Sequence, residues 1–272
     1  MLDHPIIVIG ASAGGTEALV EIVRDLPGNF PSAILVAVHV SALKSYLPRV
    51  LSRSGVLPVK HPHHNETIQA GHIYIAPPNH HLLIQQDTIQ LSLGPRENGF
   101  RPAIDPLLRS AAQAYGSAVV GVILTGALDD GTAGLGRVKH HGGTAVVQDP
   151  DTATFSMMPE SAIAHVEVDH VVPLAKMAAL LTQLAQRSVR PDAPPDSAQL
   201  DLPPSPSPIN LSNARSTPSM NTPPSGFVCP ECGGVLWELQ EPNILKLQCR
   251  TGHTYSQNGF LLEQSKELEA AM

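Results

Sequence analysis

The sequence predicts an α/β protein: a mainly parallel, doubly wound sheet with flanking helices over residues 1–187, a Pro/Ser-rich disordered linker over 188–225, and a small zinc-ribbon-like module with a C-terminal helix over 226–272. Three observations predict it. Short apolar runs alternate with helix-like stretches as far as about residue 185, the pattern of successive βαβ units. Hydrophobic residues make up 42% of the chain but aromatics only 4%, so the core is aliphatic, as suits strands buried on both faces. All three cysteines fall between Cys229 and Cys249, a clustering that suits metal ligation in a reducing compartment better than a disulfide framework.

Strands are predicted at 6–9, 33–38, 72–76, 118–124, 144–147 and 170–172, each a short run dominated by Val, Ile, Leu and Ala. Helices are predicted at 16–25, 43–52, 106–115, 132–140 and 174–186. The alternating stretch 88–93 is expected to form a hairpin with 82–85. Beyond residue 188 Pro, Ser, Asn and Asp dominate, with the run Pro203-Pro204-Ser205-Pro206-Ser207-Pro208. Such a segment buries too little apolar surface to offset its chain entropy, so a spacer is expected.

The net charge is −7, with no dense Lys/Arg block, which argues against nucleic-acid binding. The apolar run 5–10 lacks the basic flank of a signal peptide. The longest apolar runs are too short to span a bilayer, so no membrane insertion and a cytoplasmic location are expected.

The chemistry centres on Gly10-Ala11-Ser12-Ala13-Gly14. It follows a predicted strand and precedes a predicted helix, the setting of a nucleophile elbow. A dinucleotide-binding loop would need glycine at position 12 and an acid after the second strand, where His39 stands instead. No Gly-Lys-Ser/Thr follows, which excludes a P-loop. The plainer reading is a structural glycine turn with an ordinary serine. His39 weighs against it, because it ends the second strand, and ligands bind at the carboxyl ends of strands in open α/β sheets. A neutral imidazole there can take the serine proton. Asp129 and Asp130 follow the 118–124 strand on the same rim. One carboxylate can orient the imidazole; the competing role is helix capping, and spacing does not say which residue takes which. The order Ser, His, Asp differs from the Ser, Asp, His of α/β-hydrolases.

Residues 5 to about 185 resemble the catalytic domain of the chemotaxis protein-glutamate methylesterases, the CheB family. The resemblance rests on Ile9-Gly10-Ala11-Ser12-Ala13-Gly14-Gly15-Thr16-Glu17-Ala18, Val38-His39, Gly71-His72-Ile73-Tyr74-Ile75-Ala76-Pro77, Arg101-Pro102-Ala103-Ile104-Asp105, Gly121-Val122-Ile123-Leu124-Thr125-Gly126, Asp130-Gly131 and Met158-Pro159. It implies Ser12 as nucleophile, His39 as general base and acid, and Asp130, not Asp129, as the orienting carboxylate. It also implies backbone oxyanion donors near Ala13 and Ala127. The implied reaction is hydrolysis of γ-glutamyl methyl esters, and deamidation of glutamine, on chemoreceptor-like helices without a cofactor. Two departures stand out. The matching stretch begins at residue 5, where the family commonly carries a receiver domain first. The family often has a proline soon after the histidine, where this chain has Val40-Ser41-Ala42. Other readings are an esterase or amidase for a different substrate, or a non-catalytic scaffold.

In the last module Cys229, Cys232, Cys249 and His253 are spaced Cys-x₂-Cys and Cys-x₃-His. Three thiolates and one imidazole suit structural zinc, which so small a unit needs in order to fold; the plainer reading is a small apolar cluster. Similar ribbons accompany methylesterase-like domains lacking a receiver. Lys246 and Arg250 are its few cations, and Phe260-Leu261-Leu262 with Leu268 is expected to offer an apolar helix face to a regulatory protein. His61, His63 and His64 lie in a Pro-rich loop, where solvated side chains are expected rather than a second metal site.

Overall fold

A computed structural model describes residues 4–39, 45–187, 224–241 and 244–271. Residues 188–223 of the predicted linker, the segment Val40-Ser41-Ala42 and the predicted start of the second helix at residue 43 lie outside the described residues; the last two positions of the predicted linker, 224 and 225, instead lie in a strand of the C-terminal sheet.

In chain order the first unit comprises β1 (Ile6–Ala11), α1 (Gly15–Asp25), β2 (Ile34–Val38), α2 (Leu47–Ser54), β3 (Val59–Lys60), β4 (Glu66–Thr67), β5 (Ile73–Ile75), β6 (His81–Gln85), β7 (Thr88–Ser92), α3 (Ile104–Tyr115), β8 (Val119–Ile123), α4 (Thr132–His140), β9 (Thr144–Gln148), α5 (Met157–His165), β10 (His170–Val172) and α6 (Leu174–Ala185). The second comprises β11 (Pro224–Val228), β12 (Val235–Glu241), β13 (Ile244–Cys249), β14 (Thr254–Ser256) and α7 (Gln257–Ala271).

The main sheet has seven strands in the order β10-β9-β8-β1-β2-β5-β3, and every pairing is parallel. β1 and β2 are buried along their whole length because helices cover both faces. One apolar layer packs the sheet against α3, α4 and α5, with residues such as Ile104, Leu108 and Val138. The other packs it against α1, α2 and α6, through Leu19, Leu51 and Leu181 among others. The doubly wound expectation therefore holds. The expected hairpin is present as β6–β7, with β4 on its far edge.

The chain builds outward from β1 through β2 and β5, then returns to β8 on the other side of β1. The carboxyl ends of β1 and β8 thus diverge into loops on opposite sides, which opens a crevice between them. At that point the backbone must turn sharply. Gly14 takes a left-handed φ of 76° before α1. A Cβ on Gly15 would lie 2.6 Å from the Ala11 Cβ, so the helix closes on the strand end only with glycine there.

α5 was not expected from the sequence. It carries Pro159 in its first turn, where the missing N–H costs nothing, and its buried residues are few: Met158, Pro159 and Ala162. The C-terminal residues form a four-stranded antiparallel sheet, β11-β12-β13-β14, with β12 and most of β13 lying between the cysteine pairs. Its core gathers Leu236, Leu247, Tyr255 and Phe260 with Cys229 and Cys249. Phe260 therefore belongs to the module's interior rather than to a free helix face; Leu261 and Leu268 remain exposed.

Candidate active site

β1 delivers Ser12, β2 delivers His39, and the loop after β8 delivers Asp130. The strand register makes them neighbours, because Ala11 pairs with Val38 and Gly10 with Ile123. Ser12 Oγ lies 2.9 Å from His39 Nδ1, and His39 Nε2 lies 2.7 Å from Asp130 Oδ2. A carboxylate only accepts, so Nε2 carries the proton and donates it to Asp130. Nδ1 is then left with its lone pair facing the serine hydroxyl, which donates.

Asp130 is buried. Burial alone would raise its pKa, but the hydrogen bond and charge of His39, the N–H of Ile104 and the charge of Lys246 together hold it well below the usual carboxylate range. Its two oxygens accept four donors. Oδ2 takes His39 and, at 2.8 Å, the Ile104 N–H. Oδ1 takes the Asn98 side-chain amide at 3.0 Å and the Asp105 N–H at 3.3 Å. Two of these donors are backbone groups of the first turn of α3, so the carboxylate also caps that helix.

The capping is reciprocal. Asp105 Oδ1 accepts the N–H groups of Gly131 at 3.1 Å and Gly134 at 2.7 Å, at the start of α4. Asp130 thus stands before α4 yet caps α3, while Asp105 inside α3 caps α4. Asp129 caps neither with its side chain; its carboxylate accepts from Ser256 Oγ at 2.6 Å and Asn258 Nδ2 at 3.3 Å, both in the C-terminal module.

The residues around the serine are held closely. Ser12 N–H donates to Thr125 O at 3.0 Å, and Thr125 Oγ1 donates to Ala13 O at 3.0 Å. Thr125 N–H donates in turn to Gln148 Oε1 at 2.9 Å. A Cβ on Gly126 would lie 2.8 Å from Ser12 Cβ and 2.0 Å from Met158 Sδ. The Gly126 backbone therefore passes directly against Ser12, close to the turn that carries Ala13. Phe100 lies flat on the His39 ring, with centroids 3.6 Å apart and planes 4° from parallel. Asn98, Phe100 and Gln148 were not singled out from the sequence, and Asp105 entered only within a matching motif, with no role assigned.

In the second unit the ligand atoms of Cys229, Cys232, Cys249 and His253 all lie within 4.8 Å of one another. Cys232 Sγ is 3.6 Å from Cys249 Sγ, and His253 Nδ1 is 3.6 Å from the sulfurs of both Cys229 and Cys249. Tetrahedral ligands ~2.3 Å from a central zinc stand roughly 3.7 Å apart, so the four groups fit that ion. His253 Nε2 faces Glu231 Oε2 at 3.3 Å, the outer carboxylate that commonly orients a ligating histidine. The other histidine group does not assemble. His61 Nδ1 bonds Ile75 O at 2.9 Å, and His64 Nδ1 accepts from Leu91 N–H at 3.1 Å.

The two units meet next to the acid of the chain. Lys246, fully buried, forms an ion pair with Asp105, and its ammonium is 4.0 Å from Glu97 Oε2. Burial pushes Asp105 up to about 6 against the opposing pull of Lys246. Burial acts to lower Lys246, but Asp105 and Glu97 keep it above the usual lysine value. Arg137 Nε also donates to Glu241 Oε2 at 2.6 Å.

A hydroxyl, an imidazole and a carboxylate in series at the switch point of a parallel sheet define the arrangement of a serine hydrolase. The chain belongs to the CheB methylesterase family, whose profile matches residues 7–181. It is 42% identical over 190 residues to a Leptospira interrogans chain named as a protein-glutamate methylesterase/protein-glutamine glutaminase, covering 69% of this chain and 98% of that one. It is 35% identical to the protein-glutamate methylesterase FrzG of Myxococcus xanthus, covering 66% of this chain and 54% of FrzG. The crystal structure of the Thermotoga maritima CheB methylesterase catalytic domain superposes with a TM-score of 0.64 at 36% identity, covering 66% of this chain and 98% of that one. Among the described residues no helix is long and apolar enough to cross a membrane.

Proposed function

We propose that this chain is a protein-glutamate methylesterase, with accompanying glutaminase activity, that acts on methylated helices of chemoreceptor-like proteins. The observation that carries the reading is the continuous Ser12–His39–Asp130 relay, at 2.9 and 2.7 Å, in a chain of the CheB methylesterase family. Ser12 Oγ attacks the ester carbonyl while His39 Nδ1 takes its proton. The tetrahedral oxyanion is met by the N–H groups of Ala13 and Ala127, on the two backbone segments that converge on Ser12. His39 then gives the proton to the departing methanol. A water, deprotonated by the same nitrogen, attacks the acyl-enzyme, and the proton returns to Ser12 as free glutamate leaves. With glutamine the leaving group is ammonia and the rest is unchanged. Asp130 keeps the imidazole in the Nε2–H form and stabilises its cation.

The test is release of labelled methanol from a receptor fragment carrying radioactive γ-methyl esters. Time-dependent release is expected from the full-length protein. Labelling of Ser12 by a phosphonate without methanol release would instead favour an esterase for another substrate, and failure of both would favour a scaffold.

The Cys229, Cys232, Cys249 and His253 set supports a structural zinc ion in the C-terminal module, and reduced thiols of this kind imply a cytoplasmic setting. Bound zinc would supply folding free energy to a unit with few core residues. Elemental analysis of protein purified without added metal is expected to find zinc near one equivalent per chain, and a Cys229→Ser, Cys249→Ser double variant is expected to lose it.

A further inference from the structure

One of the links between the two units is a four-residue turn, Glu97-Asn98-Gly99-Phe100. Its ends exchange backbone hydrogen bonds, Glu97 N–H to Phe100 O and Phe100 N–H to Glu97 O. Asn98 and Gly99 both have positive φ, 52° and 79°, which is the geometry Asn-Gly favours in a tight hairpin turn. One side of this turn faces the chemistry: Asn98 Nδ2 donates to Asp130 Oδ1 at 3.0 Å, and Phe100 stacks on His39.

The other side is gripped by the C-terminal module. Asn98 N–H donates to Thr254 O at 2.7 Å, and Thr254 N–H to Arg96 O at 3.3 Å, so the segment pairs with β14. Ser256 N–H donates to Asn98 Oδ1 at 2.7 Å. One amide side chain therefore has its oxygen held by the module and its nitrogen on the acid. A Cβ on Gly99 would meet the Glu263 side chain of α7 at 2.5 Å. Lys246 anchors the contact by entering the pocket of Asp105 and Glu97, and Glu97 is itself paired with Arg109 at 2.6 Å.

We propose that the C-terminal module is a positioning domain for the relay: by holding the 97–100 turn it fixes the acid and the imidazole in register, so that losing the module's fold lowers turnover rather than substrate binding. The inference rests on the assignment of His39 and Asp130 to the relay. Asn98 and Phe100 act through those two residues and are positioning residues. The physical basis is that misplacing a reacting group by about 1 Å can cost on the order of 10²-fold in rate. Without β14, the amide of Asn98 loses the partner that keeps its nitrogen aimed at Asp130, and the turn loses its edge pairing.

The test uses the full chain in three forms: untreated, stripped of metal by a chelator and then given zinc chloride, and carrying Asn98→Ala. The readouts are kcat and KM for the methyl ester, the rate of Ser12 labelling by a phosphonate, and the downfield NMR signal of the proton between His39 and Asp130. Fluorescence of Trp237, the one tryptophan of the chain, reports the module's fold. Chelation is expected to change the Trp237 signal, lower kcat and the labelling rate by roughly 10²-fold, leave KM within about twofold, and broaden or shift the downfield proton. Zinc chloride is expected to restore all of these together. Asn98→Ala is expected to reproduce the loss of kcat and the altered proton with the Trp237 signal unchanged. Full kcat in a chelated chain whose Trp237 signal shows the module unfolded would overturn the inference, as would reduced kcat with an unaltered His39–Asp130 proton. An untreated chain that neither released methanol nor labelled at Ser12 would overturn the functional reading itself, and this inference with it.

Discussion

Replacing Ser12 with alanine is expected to lower methanol release by at least ~10³-fold while leaving the fold intact, since only oxyanion contacts and binding remain to accelerate the reaction. The structural cost is small. The Ser12 hydroxyl points to His39 Nδ1, and its loss leaves an imidazole nitrogen that a water molecule can serve. The backbone features that hold the turn, from Ser12 N–H to Thr125 O and from Gly15 N–H to Ser12 O, do not involve the side chain. The measurement is single-turnover release of labelled methanol, accompanied by a thermal unfolding curve that should match the parent. Release within a few fold of the parent would remove Ser12 from the mechanism.

Asp130→Asn is expected to be as damaging to rate and far more damaging to the fold. Asp130 accepts from four donors, two on each oxygen. An asparagine amide must point its NH₂ group at two of them whichever way it is turned. Facing His39, it forces the proton onto Nδ1, where the nitrogen can no longer accept from Ser12; that wrong tautomer costs on the order of 10⁴ in kcat. Facing Asn98, it reverses that amide and sets it against the Ser256 N–H. Either way a buried donor loses its acceptor, at a cost of about 1–3 kcal/mol. The pH dependence has a definite sign. The folded carboxyl titrates below its unfolded value, so the stability it contributes is present above about pH 4 and lost as pH falls further. The parent's advantage in melting temperature over the variant should therefore shrink on acidification from pH 6 toward pH 3. A constant gap would contradict the charge-based account.

How much of this was legible in the sequence can be judged residue by residue. The turn at Ser12 was visible because a buried strand, small residues and a helix follow one another without interruption, each a local signal. His39 and the aspartate pair were visible because strand ends in a parallel sheet share a rim, so position stood in for three-dimensional contact. The gathering of three cysteines and one histidine was visible from their spacing. What could not be seen depends on packing between distant segments. In the sequence Lys246 is one of the module's few cations, and only the docked module reveals its burial against Asp105, 141 positions away in sequence. Asn98-Gly99 carries a hairpin-turn signal of its own, which could have located the turn but not its two sets of partners. Helix α5 hid because it contributes only Met158, Pro159 and Ala162 to the interior, too few to impose a helical period. The reciprocal exchange of caps between Asp105 and Asp130 was invisible because it depends on contact between distant segments: Asp105 serves the helix that follows Asp130, and Asp130 serves the helix that contains Asp105.

That exchange has a consequence for how such a chain can lose its chemistry over evolutionary time. At Ser12 function and architecture are separable, and a single drift to alanine would leave a silent but well-folded descendant, free to be kept for some other task. At Asp130 they are not. The group proposed to orient the imidazole also ties the first turn of α3, so a lineage cannot discard the acid without loosening the start of that helix. Inactive descendants of this architecture should therefore be found with the serine gone and the aspartate still in place.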